Sequence, residues 1–174
     1  MITIISGTNR ADSISSLVSN YYHQRFEQKG IPSQILDLST LPIDFVYSAL
    51  YENTGKNAAF NAFQDMIDSS EKFVFVVPEY NSSFPGVLKA FLDGLRYPSN
   101  FAGKKGALTG ISSGNQGGGL ALSHLTDVLH YLGMIVMPIK PKLSRIEKNI
   151  EGDKIANSFY LELIENQVDQ LISA

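Results

Sequence analysis

Cysteine is absent from the 174 residues of this chain, and histidine occurs only at His23, His124 and His130. Without cysteine the chain forms no disulfide, thiol nucleophile, thiolate zinc site or cysteine-held iron–sulfur cluster. The three histidines are too few and too scattered to predict a metal centre. Any difficult chemistry must therefore come from a bound organic cofactor.

A surplus of positive charge is also lacking, because 14 Lys and Arg residues face 17 Asp and Glu residues, for a net charge of −3. A nucleic-acid partner is not expected, since phosphate-backbone binding needs a basic face. The longest strongly apolar run, residues 73–77, is far below the ~18 residues that indicate a membrane span. The first seven residues have no basic segment typical of a signal peptide. We expect a cytoplasmic protein with no membrane partner.

Short apolar runs alternate with helical patterns along the chain. The runs predict five strands, over residues 2–6, 34–38, 73–77, 105–112 and 134–138. Apolar residues at three- and four-residue spacing follow each run and predict helices. This order predicts an α/β fold with a doubly wound parallel sheet. No linker or repeat divides residues 1–174, so we expect one domain.

Neither of two common nucleotide-binding sequence motifs follows the first predicted strand. Residues 6–13 contain one glycine, which excludes the G-x-G-x-x-G pattern, and no P-loop pattern occurs anywhere. The flavodoxin-like strand order 2-1-3-4-5 remains, with its ligand at the carboxyl ends of strands 1 and 3. Residues 39–57 form the longest irregular stretch, either a functional loop or a surface excursion packed by its own side chains.

Three polar loops follow strands 1, 3 and 4 of the predicted sheet. Residues 6–15 carry several hydroxyls and Arg10 just before a helix, which suits one phosphate or simply caps the helix. Residues 78–86 hold Tyr80 and Asn81 between prolines, as a rim for a flat heterocycle or as a plain turn. Residues 112–119 have four glycines, which form either a nest of amides or a mobile loop.

These loops resemble those of the NADPH-dependent FMN reductase family. Residues 6–13 are similar to its G-S-x-R-x-x-S loop, and residues 78–93 to its P-E-Y-N-x-S-x-P-G-x-L-K-N-x-x-D signature. Residues 102–105 and the glycine-rich 112–119 loop also fall where the family has corresponding segments. Three positions depart from the pattern, since Ser15 and Ala90 stand where Asn is usual and Gly94 where Trp is usual.

The resemblance implies a flavodoxin-like domain that binds FMN and reduces it with NADPH or NADH. It implies that the FMN phosphate is held by Thr8, Arg10 and Ser15 and by amides at Ser13 and Ile14. It implies that the isoalloxazine is bordered on one side by Pro78, Glu79, Tyr80 and Asn81, and on the other by Ser112, Ser113 and Gly114. No side chain is expected to act as a catalytic acid, base or nucleophile, because the flavin carries the hydride.

The resemblance further implies a homodimer or homotetramer. Its electron acceptor would be a quinone, an azo dye, a metal oxyanion or another small molecule, or else reduced FMN would be released. An alternative is an FMN-binding electron carrier that never uses nicotinamide, although such carriers are usually strongly acidic. A flavin-free receiver domain is a third possibility, but it needs an acidic cluster where this chain has Ser6, Gly7 and Thr8.

Overall fold

Strands and helices alternate along most of the computed structural model, which describes all 174 residues. The strands are β1 (Ile2–Ser6), β2 (Ser33–Asp37), β3 (Lys72–Pro78), β4 (Lys105–Ile111), β5 (Ile135–Val136), β6 (Lys142–Leu143), β7 (Ile150–Glu151) and β8 (Lys154–Ile155). The helices are α1 (Ile14–Gln28), α2 (Phe45–Ser48), α3 (Ala58–Asp68), α4 (Gly86–Gly94), α5 (Gly119–Tyr131) and α6 (Ser158–Ser173).

The main sheet is parallel and has the strand order β2-β1-β3-β4-β5. This order confirms the flavodoxin-like fold. β3 is central and its residues Phe73 to Pro78 are all buried, as expected for a strand covered on both faces. None of the helices combines the length and the apolar character needed to cross a bilayer.

Helices cover both faces of the sheet. On one face, α1 and α6 pack their apolar residues against β1, β3 and β4, with Val18, Phe26 and Val168 fully buried. On the other face, α3, α4 and α5 cover a second cluster that contains Phe60 and Phe91. Each helix therefore buries the apolar stripe that its sequence predicted.

The fifth strand position differs from the prediction over residues 134–138. β5 has only two residues and pairs with the start of β4, whereas β6 pairs with the end of β4 at Gly110 and Ile111. Pro138 and Pro141 lie between these two short strands and lack the N–H needed for a continuous ladder. The predicted fifth strand is therefore only two residues long, and β6 is a second short strand beyond the predicted range.

Two other segments add detail that the sequence alone did not predict. In the irregular stretch 39–57, α2 and its flanks bury Phe45, Ala49 and Leu50 in the core, which fits an excursion packed by its own side chains. Residues 150–155 form a small antiparallel hairpin, β7–β8, for which no strand was predicted. The last helix consequently begins at Ser158, after this hairpin.

An ion-pair network joins the C-terminal end of α1 to α6. Arg25 Nε donates to Glu165 Oε2 at 2.7 Å, and Lys29 Nζ lies 2.6 Å from the other oxygen of Glu165. The Arg25 guanidinium is the main reason that the pKa of Glu165 lies below its usual value. A carboxyl group with a lowered folded-state pKa stabilises the protein above its unfolded pKa, and that contribution disappears as pH falls through the folded pKa.

We expect Glu165→Gln to lower the free energy of unfolding at pH 7 by about 0.5–1 kcal/mol, the upper part of the range for partly exposed pairs. Below the folded pKa of Glu165 the difference from wild type should vanish, because the wild-type carboxyl group is then neutral as well. Urea denaturation at pH 7 and at successively lower pH values measures this difference. Glu162→Gln, an exposed change on the same helix, is the matched control. A loss that does not shrink as the pH falls would contradict the ion-pair explanation.

Candidate functional site

The three polar loops meet at one edge of the sheet. β1, β3 and β4 are adjacent parallel strands, so their carboxyl ends point the same way. The loops that follow them surround a cavity of about 280 Å³. This is the strand-order switch point at which open α/β sheets bind ligands.

The cavity brings together ten of the twelve residues predicted for the FMN site. They are Thr8, Arg10, Ser13, Ile14, Ser15, Pro78, Glu79, Tyr80, Ser112 and Ser113. The other two, Asn81 and Gly114, are exposed in the same loops but do not line the cavity. Each of the three loops therefore contributes to one concave surface.

The cavity is also lined by four residues that the sequence had not indicated. Asp12 and Ile111 adjoin predicted site residues, whereas Ile146 and Glu147 come from a 3₁₀ turn at Ile146–Asn149. Arg145, just before this turn, has a φ of 44°, in the left-handed region that residues other than glycine adopt infrequently. No periodic pattern marks this segment, so only the three-dimensional structure places it at the site.

The first loop leaves hydrogen-bond donors free at one end of the cavity. Ser13 is the N-cap of α1, and its Oγ accepts from the backbone N–H of Ser16 at 3.2 Å. The next two backbone N–H groups, of Ile14 and Ser15, have no partner within the chain, and neither has the Arg10 guanidinium. Two free amides at the positive end of a helix dipole, with an arginine beside them, suit a phosphate.

The second loop is fixed to the first by side-chain hydroxyls. Thr8 Oγ1 and Tyr80 Oη are 2.7 Å apart and share a hydrogen bond across the cavity wall. Asn81 and Ser82 both have positive φ, which makes a tight turn closed by mutual backbone hydrogen bonds between Tyr80 and Ser83. The rim is therefore rigid before any ligand binds.

The third loop is folded around its own polar groups but keeps several amides free. Gly117 N–H donates to Ser112 Oγ at 2.9 Å, and Gly118 N–H donates to Glu79 Oε2 at 3.1 Å. Glu79 thus connects the second loop to the third. The backbone N–H groups of residues 113–116 have no partner within the chain.

The segment after β6 supports this third loop from behind. Ser113 Oγ donates to Glu147 Oε1 at 2.6 Å, and Arg145 N–H donates to Gly114 O at 2.9 Å. Ile146 N–H donates to Ser112 O at 3.1 Å. These contacts explain how a segment without a sequence signal comes to line the cavity.

Comparisons of this chain with known proteins point to one family. The family model described as NADPH-dependent FMN reductase matches residues 1–144. A 2-hydroxy-1,4-benzoquinone reductase from Burkholderia sp. is 33% identical over 156 residues, which cover 85% of this chain and 82% of that protein. An NAD(P)H-dependent FMN reductase from Schizosaccharomyces pombe is 32% identical over 72% of this chain and 58% of its own length.

A solved structure shows the same fold. The flavoenzyme NAD(P)H:(acceptor) oxidoreductase FerB from Paracoccus denitrificans superposes with a TM-score of 0.79. The match covers 99% of this chain and 94% of the other, at 22% sequence identity. At that identity the likeness concerns the fold alone.

Gly94, which replaces the usual Trp of the family pattern, has a packing explanation. A Cβ atom built there would lie 2.8 Å from the ring of Phe60 and 3.0 Å from a methyl group of Leu50. Phe60 and Leu50 fill the core next to α4, so this chain has no room for a larger residue at position 94. The departure concerns core packing and lies away from the cavity.

Gly7 keeps the first and second loops close together. Its N–H donates to Val76 O at 2.9 Å, and a Cβ atom at this position would lie only 2.7 Å from that oxygen. Because Val76 O is a backbone atom of the central strand, it cannot move aside without disturbing β3. The close approach of β1 to β3 therefore requires glycine at position 7.

We expect Gly7→Ala to lower the free energy of unfolding by about 1–3 kcal/mol, the usual cost of overpacking. Gly86→Ala is the matched control, because a Cβ at Gly86 meets no atom within 4 Å. Urea denaturation of both variants measures the difference. If Gly7→Ala were as stable as Gly86→Ala, the close contact between Gly7 and Val76 would not constrain the fold.

Proposed function

We propose that the three-loop cavity is the FMN site of this chain, which belongs to the NADPH-dependent FMN reductase family. As a member of this family, the chain is an NAD(P)H-dependent oxidoreductase with FMN as its cofactor. The observation that carries the proposal is the convergence of ten predicted residues on one cavity that is rich in unpaired donors. We further propose that residues 1–174 act as one FMN-binding unit.

The phosphate of FMN belongs at the α1 end of this cavity. Arg10 supplies a positive charge and forms no ion pair, and it lines the cavity together with the carboxylates of Asp12, Glu79 and Glu147. Ile14 and Ser15 supply free backbone N–H groups. Ser15 is almost fully buried and lines the cavity, so its hydroxyl is placed to donate as well. A serine thus serves at the position where asparagine is usual in the family.

The flavin ring belongs between the second and third loops. Pro78 and Tyr80 form one wall, held in place by the hydrogen bond between Tyr80 and Thr8. On the other wall, Ser113 lines the cavity, and its unpaired N–H group is placed to stabilise negative charge on a reduced ring. Only part of the 112–118 loop is available for this, because the N–H groups of Gly117 and Gly118 are already bonded.

The reaction needs little from the side chains of the protein. Bound FMN supplies the redox chemistry, with hydride taken up from nicotinamide C4 at flavin N5 and electrons passed on to an acceptor. The chain binds and orients the reactants, and such positioning accounts for much of the acceleration in reactions of this kind. Glu79 acts by fixing the loop at Gly118 rather than by proton transfer.

The acceptor we propose is a small oxidised molecule such as a quinone. The support is the similarity to the Burkholderia 2-hydroxy-1,4-benzoquinone reductase, the relative described above with 33% identity. We also predicted electron transfer to azo dyes or metal oxyanions, or release of reduced FMN, and these stay predictions. Assembly as a homodimer or homotetramer and a cytoplasmic location also stay predictions.

An anaerobic titration tests the function. The purified chain is first mixed with FMN, and we expect quenching of flavin fluorescence with a shifted visible spectrum. NADPH or NADH is then added, and we expect the visible absorbance of the flavin to bleach faster than in the same mixture without protein. Absence of flavin binding would contradict the proposed site. Flavin that binds but is not reduced by either nucleotide would identify an electron carrier instead.

A further inference from the structure

A second, larger cavity lies next to the candidate FMN site. It is a groove of about 680 Å³ between the outer face of α1, the β7–β8 hairpin and the start of α6. Its volume is within the ~300–1,000 Å³ of typical small-molecule sites. The function proposed above makes no use of it.

The groove begins where the phosphate end of the FMN cavity stops. The two cavities share Asp12, Ser13 and Ile14, all from the first loop and the start of α1. No residue of the second or third loop lines the groove. A ligand that extends from the FMN cavity into the groove must therefore do so from the phosphate end of FMN, not from its ring.

The lining of the groove suits a purine nucleoside. Leu17 and Leu161 supply apolar surface from α1 and α6, and Tyr21 adds an aromatic ring. Gln24, an exposed residue, lines the same groove with its side-chain amide. Aromatic stacking combined with a free amide, which both donates and accepts, is how proteins commonly bind a base.

The groove also carries charged side chains. Asp12 and Asp153 contribute two carboxylates, and Lys154 contributes one positive charge. A carboxylate such as that of Asp153 is suited to accept hydrogen bonds from the hydroxyls of a ribose.

We propose that this groove holds the adenosine of FAD, so that the chain accepts FAD as well as FMN. The inference rests on the proposed function, because the flavin and its phosphate must first lie in the three-loop cavity. The pyrophosphate of FAD then joins the two cavities beside the N-terminus of α1, where Arg10 and the free N–H groups lie. The adenine packs against Tyr21, and the ribose lies towards Asp153.

Calorimetric titration with FMN and with FAD tests this proposal on the full chain. We expect FAD to bind at least as tightly as FMN. Tyr21→Ala should weaken FAD binding by about tenfold, since stacking on an aromatic ring is worth roughly that ratio, and should change FMN binding by less than about twofold. Asp153→Ala removes an exposed side chain in the hairpin turn and should likewise weaken FAD alone.

The control is Tyr131→Ala, because Tyr131 is an exposed tyrosine on α5, away from the groove. It should leave the binding of both flavins unchanged. FAD that binds much more weakly than FMN, or FAD binding that neither groove variant affects, would overturn the proposal while leaving the FMN site intact. Failure of both flavins to bind would instead overturn the proposed function.

Discussion

The close parallel contact between β1 and β3 is the constraint on which the candidate site depends. The Gly7 N–H bonds to the Val76 carbonyl, and the two backbones are too close there for any side chain on residue 7. This contact places the first loop beside the second at the carboxyl edge of the sheet. Buried Thr8 can then reach Tyr80, and the N-terminus of α1 faces the cavity. Without this approach the free donors would not surround one ligand.

Hydrogen bonds within the chain connect the loops to one another. Glu79 binds the glycine-rich loop through Gly118, and Glu147 binds the same loop through Ser113. These internal contacts satisfy part of the polar backbone and leave other N–H groups of the loop without a partner in the chain. A site that is held by such internal contacts loses less entropy when it binds its cofactor.

The sequence predicted the parts of the molecule that depend on local patterns. The apolar run at residues 73–77 predicted β3, and loop polarity predicted most of the cavity lining. The short length of the fifth strand was missed because Pro138 and Pro141 interrupt a hydrogen-bond ladder that apolar content alone cannot locate. Glu147 was missed for a different reason, since tertiary contacts with the third loop bring it to the site.

The FMN affinity of Arg10→Ala tests the placement of the phosphate most directly. Loss of one charge-assisted hydrogen bond should weaken binding by about 1.5–3 kcal/mol. Arg96→Ala is the control, because Arg96 pairs with Asp68 far from the cavity, and it should leave the affinity unchanged. Fluorescence titration of the three proteins gives the answer. An Arg10→Ala variant that binds FMN as tightly as wild type would contradict this placement.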